Sequence, residues 1–183
     1  MTRFRDRADA GRALARLLTE FDRRPDVVVL ALPRGGVPVG YEVARLLGLP
    51  IDVLLVSEPG VPGHDAELER RERLYRGARP ARQVVDERVI LVDDGLVTGT
   101  TMRAAIAALR LLLPRTITVA VPVGGHLACD DVARAADRLV CALTPDAFES
   151  LGAWYEDFPQ TSEGEVRELL RRGRAPEFRG LPS

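Results

Sequence analysis

The run at residues 89–101, VILVDDGLVTGTT, joins an apolar segment to two adjacent carboxylates. Residues 89–92 are apolar and mostly β-branched, which is typical of a parallel strand that is buried on both faces. A loop with glycines and threonines follows, and a helix is predicted from Met102. Asp93 and Asp94 should therefore lie at the carboxyl edge of a sheet, where open α/β folds bind their ligands.

The loop after the two acids is suited to an anion. Gly95 and Gly99 allow backbone amides to approach a ligand closely. The hydroxyls of Thr98, Thr100 and Thr101 can donate to phosphate oxygens, and the following helix directs its positive end to the same place. Two adjacent carboxylates offer acceptors for a diol or for a metal-bound sugar. A phosphate site beside a diol site is the pattern that a ribose 5-phosphate requires.

Apolar runs and amphipathic segments alternate along the rest of the chain. Strands are predicted at 27–32, 51–56, 89–92, 116–123 and 138–143, and helices at 9–21, 37–47, 66–75, 102–113 and 127–136. This alternation predicts an α/β fold with a doubly wound, mainly parallel five-stranded sheet and helices on both faces. Residues 1–170 should form one domain, whereas 171–183, rich in Arg, Gly and Pro, is expected to be a flexible tail.

Composition excludes several other classes of protein. All 26 basic residues are arginine, so neither a P-loop nucleotide site nor Schiff-base chemistry is available. The net charge of −1 gives no broad basic field, and we expect no nucleic-acid partner. No apolar run has the length of a membrane span, and the charged start does not resemble a signal peptide. We expect a cytoplasmic protein without a membrane partner.

Two cysteines, Cys129 and Cys141, lack the spacing of a zinc site and are expected to be buried or half-buried thiols in a reducing compartment. The two histidines, His64 and His126, are the only side chains with an unperturbed pKa near neutrality. His64 is expected in a loop near the site, and His126 at the start of a helix. Either could serve as a base, although a surface position is the simpler interpretation.

The run 89–101 resembles the phosphoribosyl diphosphate (PRPP) motif of the type I phosphoribosyltransferases. The family pattern has four apolar residues, two acids, Gly, two variable residues (here Leu96 and Val97), Thr-Gly and small hydroxyl residues. The resemblance implies transfer of phosphoribosyl from PRPP to a nitrogenous acceptor, such as a nucleobase, with release of pyrophosphate. It implies that Asp93 and Asp94 are catalytic, bind the ribose hydroxyls and orient Mg²⁺ directly or through water. Residues 95–101 would hold the 5′-phosphate.

A second candidate anion site follows the first predicted strand. Pro33-Arg34-Gly35-Gly36 resembles the pyrophosphate loop of this family, in which one peptide is commonly cis. Arg34 would be catalytic, because its guanidinium donates to phosphate in a fixed fork, and the amides of Gly35 and Gly36 would assist. By itself, this run is equally well explained as a tight turn between a strand and a helix.

Residues 144–166 resemble the small C-terminal hood segment of one bacterial branch of the family, and the similarity begins at Phe4-Arg5-Asp6-Arg7. Phe148, Trp154, Tyr155 and Phe158 cluster in a chain that is only 5% aromatic. We expect Trp154 to stack on the acceptor base, with core packing as the alternative. Because the family often forms dimers, the resemblance also implies a possible homodimer.

One departure from the family leaves three functions open. Where that branch has Arg-Lys and a longer loop, this chain has Ser57-Glu58 and a short Pro/Gly segment. Arginines at 70, 71, 73 and 76 could replace the missing basic pair, although a solvated helix face is the simpler interpretation. The chain could be an active phosphoribosyltransferase, a non-catalytic regulatory protein that binds PRPP or a nucleotide, or a hydrolase in which water attacks.

Overall fold

A computed structural model describes residues 3–56 and 64–173 of the 183-residue chain. It contains five strands: β1 (Val27–Ala31), β2 (Ile51–Val53), β3 (Arg88–Val92), β4 (Thr116–Val123) and β5 (Arg138–Leu143). The helices are α1 (Arg7–Arg16), α2 (Gly36–Leu47), α3 (His64–Arg76), α4 (Thr100–Arg110), α5 (His126–Ala135) and α6 (Glu163–Arg172). Short 3₁₀ turns span Thr19–Phe21 and Leu151–Trp154.

The five strands form one sheet in the order β2-β1-β3-β4-β5, and every neighbouring pair is parallel. The predicted α/β class and five-stranded sheet are therefore confirmed, with β5 at one edge. From β1 the chain moves outward to β2, whereas from β3 it moves outward in the other direction. The strand order thus reverses between β1 and β3, which is where doubly wound folds bind ligands.

The continuous apolar runs are explained by burial on both faces of the sheet. Alternate residues of β1 point to opposite sides: Val27 and Val29 pack with α1 and α2, whereas Val28 and Leu30 pack with α4 and α5. All four side chains are almost fully buried. Burial of one such side chain stabilises the fold by roughly 1.5–3 kcal/mol. The predicted helices on both faces are confirmed.

Several predicted boundaries of helices and strands differ from the structure; for example, α1 begins at Arg7 and α4 ends at Arg110. The helix predicted at 9–21 ends at Arg16, because Leu17 and Leu18 donate to carbonyls three residues back and so tighten the last turn. The helix predicted from Met102 begins two residues earlier, at Thr100. The strand predicted at 51–56 is shorter and ends at Val53. The predicted C-cap is confirmed, since Gly48 is left-handed, with φ 62°.

The sequence did not predict α6, and the expected tail at 171–183 therefore starts too early. Ser162 caps α6 by accepting a hydrogen bond from the amide of Glu165. Val166 and Leu170 are buried in the core on the face of the sheet that α1 and α2 cover. Gly173 ends the helix so close to Ile51 that an added Cβ would lie 2.4 Å from its Cγ2 atom. Residues 174–183 lie outside the described part of the chain. Among the described helices, none is both long and apolar enough to cross a membrane.

Candidate functional site

The two predicted anion loops meet at the reversal of strand order. The loop after β1 contains Gly35 and Gly36, and it lies directly on the two acids that follow β3. A Cβ at Gly35 would lie 2.0 Å from Oδ2 of Asp94, and one at Gly36 would lie 2.9 Å from Cα of Asp93. The glycines therefore permit close contact between the loops, in addition to the expected exposure of their amides.

The first loop has the backbone feature that the family resemblance implies, because the peptide between Pro33 and Arg34 is cis. Arg34 is partly exposed at the start of α2. Its positive charge acts on Glu163, the first residue of α6. The pKa of Glu163 is lowered first by a hydrogen bond from Arg70 and further by the charges of Arg70 and Arg34. The positive charge of Arg34 therefore favours the ionised form of Glu163.

The two acids occupy different environments. Oδ1 of Asp93 accepts from the amide of Asp94 at 2.8 Å. Burial, together with the neighbouring negative charge of Asp94, raises the pKa of Asp93 well above its usual value. Oδ2 of Asp94 instead accepts from Nε of Arg7 at 2.9 Å and lies 2.8 Å from its second guanidinium nitrogen. The pair therefore consists of one carboxyl that resists ionisation and one carboxylate that is already neutralised by a cation.

Arg7 is a site residue that the sequence did not predict. Its side chain is 11% exposed and that of Asp94 is 13% exposed, so most water is excluded from the ion pair. The guanidinium also donates to the carbonyl of Pro159 at 2.6 Å and lies 3.7 Å from the ring centre of Phe158. The sequence had marked the run containing Arg7 only as part of the resemblance. No local pattern connected it to the acids.

Tyr155 provides a second connection between the hood segment and the acid pair. Its hydroxyl donates to the backbone carbonyl of Asp94 at 2.7 Å. Its ring stacks on Phe158, with 4.6 Å between the ring centres, and also contacts Phe4. The aromatic cluster therefore holds the hood, the start of α1 and the acid pair in one arrangement.

The motif loop, residues 95–101, is anchored by buried Leu96 and is exposed to solvent at its threonines. Leu96 is buried, its amide donates to Val123 at 2.9 Å, and its carbonyl accepts from Gly125 at 3.1 Å. Val97 points outward and is 54% exposed. We therefore assign Leu96 an anchoring role within the predicted phosphate loop. The backbone there lies across the carboxyl end of β4.

The three threonines lie at the amino end of α4. Thr98, Thr100 and Thr101 are exposed, and the hydroxyls of Thr98 and Thr100 are 3.2 Å apart. Gly99 precedes the helix with φ 71° and provides no side chain to cap it. Exposed hydroxyls and the first amides of α4 thus surround one place, as a phosphate requires.

The hood covers the other end of the same loop. A Cβ at Gly95 would lie 2.2 Å from Cδ1 of Leu151, and one at Gly125 would lie 3.4 Å from the ring of Phe148. Trp154, however, is only 8% exposed and packs in an apolar cluster with Phe4 and Val123. The expectation that Trp154 forms a stacking surface for a base is therefore not supported. Its burial instead corresponds to the packing alternative.

We expect the fluorescence of Trp154 to respond equally to ligands with and without a base. Trp154 is the single tryptophan, so a titration reports on this residue alone. Nucleoside monophosphates and ribose 5-phosphate should change its emission by similar amounts, because the buried ring is not available to stack. A clearly larger response to the nucleotides, at matched saturation, would restore the stacking role.

The arginines of α3 are engaged by carboxylates of the described chain. Arg70 binds Glu67 and Glu163, Arg71 binds Glu67, Arg73 binds Glu69, and Arg76 binds Asp52 and Glu72. In this structure they do not form a free basic surface in place of the missing pair. Ser57-Glu58 and the short loop lie outside the described residues.

Each of the two histidines is the first residue of a helix. His64 begins α3 and not the preceding loop, and His126 begins α5 as predicted. The side chain of His126 is 55% exposed, and its Nε2 lies 3.3 Å from Asp146. In the ranges 3–56 and 64–173, no group of three or more His, Cys, Asp or Glu side chains could hold a metal ion.

Comparison with known families identifies the family of this chain. The sequence model of the phosphoribosyl transferase domain matches residues 5–147. The chain belongs to this family. The matched part includes both anion loops and the acid pair, whereas the aromatic residues of the hood follow it. The recognised resemblance to phosphoribosyltransferases is thereby confirmed.

Two further comparisons give the similarity of this chain to one sequence relative and to one solved structure. A Mycobacterium tuberculosis protein named "Putative phosphoribosyl transferase" is 36% identical over 210 residues, covering 94% of this chain. The chain spans 47% of that relative, about half its length. The crystal structure of TT1426 from Thermus thermophilus has a TM-score of 0.81 and 34% identity, covering 94% of this chain and all of its own.

A third relative has a different name. "Bifunctional protein PyrR" of Mycolicibacterium paratuberculosis is 33% identical over 136 residues, which cover 65% of this chain and 70% of that protein.

The 210-residue alignment with the M. tuberculosis protein is longer than this 183-residue chain. The alignment with this relative therefore contains positions at which this chain has no residue.

Proposed function

We propose that the protein is a PRPP-dependent phosphoribosyltransferase that transfers phosphoribosyl to a nitrogenous acceptor of the nucleobase type and releases pyrophosphate. The observation that supports this proposal is the close approach of Gly35 to Asp94, by which the loop after β1 lies beside the acid pair. The second anion loop continues directly from the same acids. A ligand with a diol between two phosphate groups matches this order of groups.

Each part of the site would have one task. Asp93 and Asp94 would accept from the ribose hydroxyls, and the exposed end of α4 would hold the 5′-phosphate. Arg34, with the amides of Gly35 and Gly36, would hold the pyrophosphate and stabilise its charge as it leaves. Arg7 would keep Asp94 in place through their ion pair. The chemistry needs no strong base, because its main demand is stabilisation of charge on the sugar and on the leaving group.

Mg²⁺ is the proposed cofactor, and the donors present are compatible with it. Asp93 and Asp94 offer hard oxygen donors, and Mg²⁺ commonly binds one or two carboxylates together with water and phosphate oxygens. A bound cation would favour the ionised form of Asp93, whose burial otherwise favours the neutral form. Since Asp94 is shared with Arg7, water could bridge the carboxylates to the ion. When bound, Mg²⁺ would offset negative charge on the pyrophosphate.

A panel of nucleobases tests the proposal. The protein should release pyrophosphate from PRPP and Mg²⁺ when the correct base is present, and the nucleotide product should appear in equal amount. A variant in which Asp93 and Asp94 are both asparagine controls for contaminating enzymes. Release of pyrophosphate without any base would indicate hydrolysis, and PRPP binding without release would indicate a regulatory protein.

The regulatory alternative is favoured by one observation on α3. Its four arginines are paired with carboxylates, and the segment that carries a basic pair in related proteins has Ser57-Glu58 here. A protein with these features could retain the PRPP site yet stabilise the leaving pyrophosphate poorly. Calorimetry beside the turnover assay separates this alternative from a transferase.

Arg34→Ala should weaken the binding of PRPP and of pyrophosphate much more than the binding of ribose 5-phosphate. Only the first two ligands occupy the loop after β1, and loss of a charge-assisted hydrogen bond costs about 1.5–3 kcal/mol. The expected loss of affinity is thus roughly 10- to 150-fold for those ligands. Arg73→Ala, an exposed arginine on α3, is the matched control. Equal losses for all three ligands would contradict the assignment of this loop.

A further inference from the structure

The two cysteines lie together beside Gly124, although they belong to different elements. Cys129 is on α5 and Cys141 is on β5. A Cβ at Gly124 would lie 2.7 Å from Sγ of Cys129 and 3.6 Å from Sγ of Cys141. Glycine thus leaves the space that the two sulfur atoms occupy beside it.

The two thiols have different environments. Cys129 is buried among apolar side chains of α4, α5 and the sheet, whereas Cys141 is half-buried. Sγ of Cys141 donates to the carbonyl of Leu143 at 3.1 Å. The hydrogen bond from Cys129 is the main cause that lowers the pKa of Cys141 to about 7, against the effect of burial. The same contact, with burial, raises the pKa of Cys129.

These differences give each cysteine a separate chemical role. A thiolate is the attacking form in disulfide exchange, and a thiol whose pKa is near the ambient pH attacks most effectively. Cys141 is the more accessible of the two, and the neighbouring Cys129 thiol favours its thiolate form. Cys129 is protected from external reagents but lies within reach of Cys141. The proposed phosphoribosyl transfer makes no use of either thiol.

We propose that Cys129 and Cys141 form a dithiol site that a small-molecule disulfide oxidises to an intramolecular disulfide bond. The thiolate of Cys141 attacks one sulfur of the small disulfide, its S–S bond breaks, and one small thiolate leaves and takes up a proton. Cys129 then loses its proton and attacks Sγ of Cys141, and the second small thiolate leaves. Two protein thiols are oxidised, and one small disulfide is reduced to two thiols.

The position of this pair connects it to the motif loop. Gly124 pairs with Leu96 of that loop, and the amide of the next glycine donates to the carbonyl of Leu96. A bond between the sulfurs would join α5 to β5 directly beneath this contact. Such a bond requires the sulfurs to approach to about 2.05 Å and the two Cα atoms to lie within about 7 Å of each other.

Incubation of the folded protein with glutathione disulfide tests the proposal, with free thiols and adducts counted by mass spectrometry after denaturation. The wild type should lose both thiols, retain no glutathione and remain a single chain without reductant. Cys129→Ala should retain one glutathione on Cys141, because no second thiol can displace it. Cys141→Ala should react at least about tenfold more slowly than Cys129→Ala, since the remaining thiol is buried and Cys141 is the more accessible of the two.

A control in denaturant distinguishes the folded environment from intrinsic reactivity. In urea the two single variants should react at similar rates, and this comparison also serves if one variant is unstable. Cys129→Ser and Cys141→Ser provide a second pair of variants. A stable glutathione adduct on the wild type would overturn the proposal. A disulfide between two chains, or equal rates for the two folded variants, would do the same.

Discussion

Simultaneous replacement of Asp93 and Asp94 by asparagine should lower the affinity for PRPP by at least about 100-fold. Each carboxylate would accept from a ribose hydroxyl, and a hydrogen bond to a charged group contributes roughly 1.5–3 kcal/mol. The loss should be largest with Mg²⁺ present, because the same oxygens are proposed to orient the ion. Calorimetric titration of PRPP with and without Mg²⁺ measures both effects.

A matched control exists at the other end of the same strand. Asp86→Asn with Glu87→Gln also removes two adjacent acids, but these residues precede β3, whose opposite end bears the site. This control should bind PRPP with nearly unchanged affinity. If the Asp93/Asp94 variant also binds normally while remaining folded, the acid pair does not bind the ribose, and the site assignment is wrong.

Arg7→Met should destabilise the protein by about 3 kcal/mol, because it leaves Asp94 without its cation in a site from which most water is excluded. For a chain of this length, that corresponds to a fall of roughly 6–12 °C in Tm. Methionine retains much of the apolar stem over Phe158, so the variant mainly tests the charge. Thermal unfolding followed by circular dichroism provides the measurement.

Arg5→Met is the comparison for this second prediction. The side chain of Arg5 is 68% exposed and pairs only weakly with Asp9 at 3.4 Å, so its loss should change the stability by less than about 1 kcal/mol. The cost of Arg7→Met should also shrink when Asp94 is asparagine, since the two residues are coupled. Equal Tm values for the two arginine variants would show that the ion pair does not stabilise the fold.

Much of the fold could be predicted because its strands are buried on both faces and read as continuous apolar runs. The segment that forms α6 contains several charges around Val166 and Leu170, so its apolar stripe was too narrow to recognise. Its burial depends on contacts with α2 and α3, which come from distant parts of the sequence. For the same reason, the flexible tail was predicted to begin at residue 171, which lies within α6.

The acid pair and its loops could be predicted because the residues lie in short motifs. The partner of Asp94 could not, because Arg7 is 87 residues away and is one of many arginines. The aromatic cluster was visible in the sequence, but the direction of each ring was not. The ring of Trp154 packs in an apolar cluster, whereas the hydroxyl of Tyr155 donates to the backbone carbonyl of Asp94.

The contacts of the hood define how much chain a working domain must include. The match to the family domain ends at residue 147, but Leu151 covers Gly95, and Tyr155 binds the backbone of Asp94 beyond that limit. A recombinant fragment cut at the family boundary would expose Phe4 and Val123 to water and release Asp94 on one side. Fragments for crystallisation or for grafting the motif onto another scaffold should therefore extend through α6.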